Sequence, residues 1–140
     1  LEPGRSISAN AGVLLTKVEY IKDNFLIVDA AMNDLLRPSL YKAHHDVCNV
    51  EDKQDNLKKW TVVGPVCESS DFLAKNASLD VHEDDLIAVK NAGAYGFVMA
   101  SNYNSRPKAC EILIDGDQFK IIRQRETLDD LLEKEKIEND

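Results

Sequence analysis

Residues with high strand preference come in short runs, each closed within a few positions by a polar or glycine-bearing turn, and this punctuation constrains the chain to a sheet structure with short connections. Val13, Leu14, Leu15, Val18, Tyr20 and Ile21 make one run, Asp23-Asn24 turns the chain, and Phe25-Leu26-Ile27-Val28 brings it back, which predicts a hairpin. Cys110 to Ile114 and Gln118 to Arg123 flank Asp115-Gly116-Asp117, a second hairpin signal with glycine where a positive φ is wanted. Between them His44 to Val50, Trp60 to Val66 and Asp85 to Lys90 read as strands. Glu51 to Lys59, apolar only at Leu57, reads as a solvated loop. Helices are fewer. Ser6 to Asn10 predicts a short one capped by Ser6 after the Pro3-Gly4 turn, and Asn33 to Tyr41 another, interrupted by Pro38 with Arg37 in the restricted conformation that precedes proline. Ala94 to Asn102 and a closing helix with Thr127 as cap and Leu128, Leu131 and Leu132 as apolar stripe complete the set. The expected core is a mainly β, α+β arrangement, an antiparallel sheet closing on itself as a barrel or sandwich.

At 140 residues and 44% hydrophobic, the chain holds material for one core. Its formal net charge of −8 disfavours nucleic acid as a partner, since no basic patch offsets the repulsion of phosphates. Most of that charge sits in the stretch from Glu126 to Asp140, where seven acids face two lysines. Three cysteines at wide spacing, Cys48, Cys67 and Cys110, suit a reducing compartment, and the cytoplasm is the expected location. No apolar run approaches the roughly 20 residues of a membrane span, so no membrane is expected. Leu1 is not a start methionine, which suggests a beginning partway through a longer gene product. His44-His45 and the isolated His82 match no zinc spacing, and no metal is expected. Glycine-rich phosphate loops and hydrolase elbows are also missing, and Ser69-Ser70-Asp71 has no histidine nearby to complete a triad.

Four clusters place reactive or anion-binding residues at the ends of regular elements. The Glu2-Pro3-Gly4-Arg5 turn lets backbone approach a phosphate closely, although an ordinary turn with a surface arginine has the same local pattern. Arg37, in Arg37-Pro38-Ser39-Leu40-Tyr41, offers a fork of donors to a carboxylate that the Tyr41 hydroxyl can share, or it forms a plain surface ion pair. Cys67 follows the Gly64-Pro65 strand end beside Glu68. A free thiol ordinarily titrates near about 8.5 and can donate a proton near neutrality, while a lone cysteine is also a common small apolar filler. Tyr95, in Gly93-Ala94-Tyr95-Gly96, reaches over a cavity or packs in a core.

Together, in this order, and with Asp29 to Tyr41, Cys67-Glu68-Ser69-Ser70-Asp71 and Asn102-Tyr103-Asn104-Ser105-Arg106-Pro107, these motifs resemble the C-terminal part of the diaminopimelate decarboxylases. These are pyridoxal 5'-phosphate enzymes of lysine biosynthesis with the alanine-racemase-like fold type. The resemblance spans essentially the whole chain. It implies that residues 1–12 are the end of a truncated (β/α)8 barrel and that residues 13–140 form a C-terminal Greek-key β-barrel domain. It further implies that Glu2, Pro3, Gly4 and Arg5 line the cofactor, with Arg5 also reaching the substrate. Arg37 and Tyr41 would hold the substrate's distal carboxylate end, Glu68 its distal ammonium, and Tyr95 both cofactor and substrate. Cys67 would be the proton donor, inserted across a homodimer interface. The Schiff-base lysine of that family lies in the barrel, so this chain alone is expected to be inactive.

The chemistry agrees with these residue types, because the cofactor takes up the electron pair left by departing carbon dioxide, and the protein must orient the carboxylate and return a proton. Reading a second, distant amino-acid head calls for an arginine and an acid together, which Arg37 and Glu68 supply. An ornithine- or arginine-type decarboxylase of the same fold ranks lower, since a substrate without the distal carboxylate needs neither Arg37-Pro38-x-x-Tyr41 nor Glu68. A non-catalytic binding or oligomerisation module that kept the motifs is the alternative from another class.

Overall fold

Asp23 adopts a left-handed backbone, φ 54°, and so closes the first hairpin: β1 (Leu14–Lys22) returns antiparallel as β2 (Phe25–Val28), with Lys22 opposite Phe25. The computed structural model describes residues 1–136. They fall into two compact units, Leu1–Ala100 and the part beginning at Ser101.

In the first unit β3 (Val47–Asn49), β4 (Lys58–Val63), β5 (Phe72–Leu79) and β6 (Leu86–Val89) join the hairpin in a six-stranded sheet of order β3-β6-β1-β2-β4-β5. All neighbours are antiparallel except β2 and β4. A parallel pair needs a long crossover, and here that crossover carries α1 (Arg37–Tyr41) and β3. The crossover therefore hangs the Arg37 segment outside the sheet. The first and last strands of the order, β3 and β5, lie against each other, so the sheet curls to near closure. At the seam the Asn49 amide donates to the Asp80 carbonyl and accepts from the Asp80 N–H, so side chain replaces ladder. The mainly β, barrel-like expectation holds, with the parallel β2–β4 pair as the departure from a purely antiparallel sheet.

The core follows the period of two along each strand. In β2, Leu26 and Val28 point inward and are fully buried; Val62, Leu73, Ile87 and Val89 meet them from the other strands. A bulge at Glu19 shifts the β1–β2 register between Val18↔Val28 and Tyr20↔Ile27, and the alternation slips with it, so Val18 is buried and Tyr20 exposed.

Several local expectations change. Residues 72–79 form a strand that the sequence did not announce, because Lys75, Asn76 and Ser78 dilute its strand character. Asn76, at φ 57°, sits within the irregular β4–β5 register that breaks between Trp60 and Val62. Ser6 caps no helix: the start of the chain is two 3₁₀ turns, Gly4–Ser6 and Ala9–Ala11, and the Ser6 hydroxyl donates back to the Pro3 carbonyl at 2.5 Å. Pro38 opens α1 instead of interrupting it, since its missing N–H is unneeded in the first turn, and Arg37 is helical, not extended. Residues 94–102 form no α-helix. Tyr95 sits at φ 60°, which breaks any helical run, and only the 3₁₀ turn Phe97–Met99 remains.

In the second unit β7 (Glu111–Asp115) and β8 (Gln118–Arg123) make the predicted hairpin with Gly116 at φ 59°. Thr127 caps α2 (Leu128–Leu132) in a reciprocal box, its hydroxyl accepting from the Asp130 N–H while the Asp130 carboxylate accepts from the Thr127 N–H at 2.6 Å. The Thr127 N–H and the Thr127 hydroxyl, which also donates to the Asp130 carboxylate, hold the Asp130 carboxyl below its ordinary range. The expected apolar stripe is not covered, since Leu128 and Leu132 stay exposed. Among the described residues no helix is long and apolar enough to cross a membrane.

Leu26→Ala removes a fully buried side chain from the centre of the sheet and is expected to cost about 2–5 kcal/mol, read as a shifted denaturant midpoint at unchanged slope.

Candidate functional site

Strand β6 ends at Val89, and Asn91 then takes a left-handed turn, φ 60°, that presents two successive carbonyl oxygens to the segments packed around it. The start of the chain docks on this exit backbone to backbone. The Ala92 N–H donates to the Gly12 carbonyl at 2.9 Å and the Gly93 N–H to the Ala9 carbonyl at 3.0 Å. Neither segment has room for a side chain at the contact: a Cβ on Gly93 would run into the Ser8 carbonyl oxygen, and one on Gly12 would lie 2.6 Å from the Gly93 Cα. The Glu2–Arg5 turn is thereby carried to the Asn91–Gly96 loop, more than eighty residues away in sequence, and Arg5 seals the join by donating from Nη2 to the Asn91 carbonyl at 3.1 Å.

Tyr95 stands at the crest of that loop with φ 60°, a conformation that costs a bulky residue about 1–2 kcal/mol and persists only where the surroundings enforce it. The residue is 44% exposed. Arg37 approaches it from α1, with its guanidinium carbon 5.8 Å from the Tyr95 ring centre and 5.6 Å from that of Tyr41. The i, i+4 spacing puts Tyr41 and Arg37 on one helix face, and each cation–π contact is worth about 0.5–1 kcal/mol at such exposure. Among the described residues the Arg37 side chain has no hydrogen-bond acceptor, and its Nε–H is buried without a partner, as is that of Arg5. Two guanidiniums with unspent donors beside two phenols make an anion-binding surface, suited to carboxylate or phosphate. The structure thus brings together Arg5, Arg37, Tyr41 and Tyr95 from three sequence clusters, with exposed Glu2, Pro3 and Gly4 on the adjoining turn.

Cys67 and Glu68 lie on a separate loop, both exposed, Cys67 as a free thiol. Asp71, buried at 4% exposure, holds that loop. Its carboxylate accepts from the Val66 N–H at 2.8 Å and from the Met32 N–H at 2.7 Å, tying the loop to the crossover that leads into α1. A second tie runs from the Ser39 hydroxyl to the Ser70 carbonyl at 2.6 Å. No hydrogen bond joins the Cys67 thiol to the arginine group among the described residues. Asn102, from the last motif, lies in the second unit and donates there to the Arg106 carbonyl and the Glu126 carboxylate.

Two side chains to which the sequence patterns assigned no role prove central. Asp71 read as an incomplete hydrolase triad, and only the fold reveals its two backbone donors. His45 read as one of an unremarkable pair. It is 2% exposed, with Nδ1 2.8 Å from the Lys90 carbonyl. Burial, first, and then the electrostatic influence of Arg5, Arg37 and His44 push its pKa below the ordinary imidazole value, against the opposing pull of the Lys90 carbonyl.

Residues 7–93 match the family model described as the C-terminal sheet domain of pyridoxal-dependent decarboxylases. The chain is 51% identical over 140 residues to a diaminopimelate decarboxylase of Vibrio cholerae, covering 97% of this chain and 34% of that protein. Its fold superposes on the diaminopimelate decarboxylase of M. jannaschii in co-complex with L-lysine with a TM-score of 0.92 at 38% identity, over 96% of this chain and 32% of that one. It also superposes on the Helicobacter pylori enzyme complexed with L-lysine, with a TM-score of 0.86 at 50% identity, over 94% of this chain and 33% of that one. The chain spans about a third of the length of the curated relatives it matches.

Gly93→Ala forces the first turns off the β6 exit and is expected to destabilise the first unit by about 1–3 kcal/mol in thermal or denaturant unfolding. Asp71→Asn keeps the shape but turns an acceptor into a donor facing a backbone N–H, and about 1.5–3 kcal/mol is expected from the same measurement.

Proposed function

Because the chain belongs to the family of the C-terminal sheet domain of pyridoxal-dependent decarboxylases, we propose that it forms the C-terminal part of a diaminopimelate decarboxylase, converting meso-2,6-diaminopimelate to L-lysine and carbon dioxide. On this reading residues 1–12 close a preceding (β/α)8 barrel, residues 13–140 are the sheet domain, and the complete enzyme is a cytoplasmic homodimer. The observation that carries the proposal is the convergence of Arg5, Arg37, Tyr41 and Tyr95 on one surface. About 50% identity to diaminopimelate decarboxylases over nearly all of this chain adds to it.

The residues of the first turn fit pyridoxal 5'-phosphate. Gly4 takes φ 47° with open space where a side chain would project, so the backbone of Glu2, Pro3 and Gly4 can come close to a phosphate, and the buried Nε–H of Arg5 lacks a partner. When bound, that cofactor supplies the sink for the electron pair released as carbon dioxide leaves. The chain's own residues bind, orient and protonate. Glu2, Pro3, Gly4, Arg5 and Tyr95 line the cofactor, and Arg5 and Tyr95 also face the substrate. Arg37, held between the rings of Tyr41 and Tyr95, keeps its donors directed outward for the substrate's distal carboxylate, and the Tyr41 hydroxyl joins it. Glu68 takes the distal ammonium. Cys67 gives its thiol proton to the carbon that has lost carbon dioxide and regains one from solvent.

Arg37 argues for a substrate with a distal carboxylate over an ornithine- or arginine-like one, which would bring no anion to the guanidinium. The exposure of Cys67 and Glu68 on a loop apart from the arginine surface supports their use across a subunit boundary.

In the complete enzyme Cys67→Ala is expected to lower kcat by about 10²-fold or more while leaving the cofactor's absorbance in place, since it acts after the cofactor is seated. An undiminished kcat would remove Cys67 from the reaction.

A further inference from the structure

The Cys67 thiol is held by nothing of its own. It is exposed and, among the described residues, makes no hydrogen bond, so the two peptide units that flank it set the direction in which it points. Both flanks are fastened to Asp71. On one side the Val66 N–H donates to Asp71 Oδ2 at 2.8 Å. On the other the Glu68 carbonyl accepts from the Asp71 N–H at 3.0 Å, and the Glu68 N–H closes the turn onto the Val66 carbonyl at 2.8 Å. Side chain and backbone of one residue thus staple the turn on whose apex Cys67 stands.

A staple alone would leave the turn free to swing as a body. The second carboxylate oxygen prevents that, since Asp71 Oδ1 accepts from the Met32 N–H at 2.7 Å on the crossover between β2 and α1. Two further contacts join the same segments: the Ser39 hydroxyl donates to the Ser70 carbonyl at 2.6 Å, and the Ser70 hydroxyl meets the Met32 sulfur at 3.8 Å. The base of the loop is packed without slack, because a Cβ on Gly64 would run into the Asp71 carboxylate and lie 2.7 Å from the Ala31 Cα. Burying a carboxylate is unfavourable unless its oxygens are hydrogen-bonded. Here each oxygen holds a backbone N–H, one from the turn and one from the crossover.

We infer that Asp71 is a positioning residue for Cys67: its carboxylate, with the Ser39 hydroxyl as a second tie, holds the turn in one orientation to the crossover, so that the thiol proton is delivered to a single place. This inference rests on the decarboxylase reading above, in which Cys67 returns the proton. Asp71 is buried and acts through the turn, without touching the substrate. A misplaced donor loses rate steeply, because proton transfer requires close approach and an error of about 1 Å costs on the order of 10²-fold.

A double substitution separates this role from a loss of stability. For the complete enzyme, assayed well below its melting temperature, Asp71→Asn leaves one acceptor oxygen for two donors and is expected to lower kcat for diaminopimelate about 10- to 100-fold. In a Cys67→Ala background the same substitution is expected to lower kcat less than about threefold, because a residue that acts through the thiol has nothing to act on once the thiol is gone. The readout is kcat, since displacement of Glu68 on the same turn enters through KM. An unchanged kcat in Asp71→Asn, or losses that multiply in the double variant, would overturn the inference. If Asp71→Asn does not fold, Ser39→Ala, which removes a single hydroxyl, decides by the same criterion at an amplitude of about two- to tenfold. A second readout is independent of turnover. Hydrogen exchange, read by mass spectrometry with residue-level fragmentation, is expected to find the amides of Met32 and Val66 protected in the complete enzyme and both released in Asp71→Asn while β2 stays protected; fast exchange at either amide in the wild type contradicts the inference. An enzyme with this exchange pattern that leaves diaminopimelate untouched would refute the decarboxylase reading and leave the stapled turn standing.

Discussion

Two consecutive carbonyl oxygens at the exit of β6 organise the functional face of the first unit. Lys90 O receives the His45 ring and Asn91 O receives the Arg5 guanidinium. The next two residues pair their N–H groups with the opening turns of the chain. A left-handed residue at Asn91 and a glycine at position 93 make this possible, since the first turns the backbone and the second lets another backbone come within contact distance. Remove that junction and Arg5 loses its hold on the β6 exit, although every strand of the sheet could still form.

Stability and function are therefore divided in space. The fold rests on the curled sheet and its inward Leu, Ile and Val side chains, where single truncations are costly. Ion pairs such as Lys17–Glu19 and Arg123–Glu111 are half-exposed and contribute little. The functional residues occupy the connections: the first turn, the long crossover forced by the parallel β2–β4 pair, the β4–β5 loop and the β6 exit. Three of these are tied down by buried polar groups, Asp71 and His45, and by the two-ring clasp on Arg37, and not by apolar packing. Such ties fix direction, which an electrostatic binding surface needs, at the cost of tolerating little change.

What could be read from the sequence follows how local each determinant is. The Asp23-Asn24 and Asp115-Gly116-Asp117 hairpins and the Thr127 cap were legible, because turn and cap chemistry lies within four residues. β5 was not, since Lys75, Asn76 and Ser78 become a strand only beside Trp60 and its neighbours in β4. The residues around Tyr95 read as helical because Ala and Met are good helix formers, and the left-handed turn that overrides them is imposed by contacts with Ser8, Ala9 and Gly12. For the site, Arg5, Arg37, Tyr41, Cys67, Glu68 and Tyr95 were each ambiguous alone and became specific only as an ordered set. The roles of Asp71, which only closed a motif, and of His45 were invisible for a different reason: their partners include backbone groups of Met32, Val66 and Lys90, and no side-chain pattern encodes a backbone partner.

The central claim is that this surface reads the two charged ends of diaminopimelate. It is tested most directly by comparing kcat/KM for diaminopimelate with that for ornithine in the complete enzyme, with and without Arg37→Met. A strong preference for diaminopimelate that collapses in the variant is predicted. Preference for ornithine, or a ratio that Arg37→Met leaves unchanged, would contradict it.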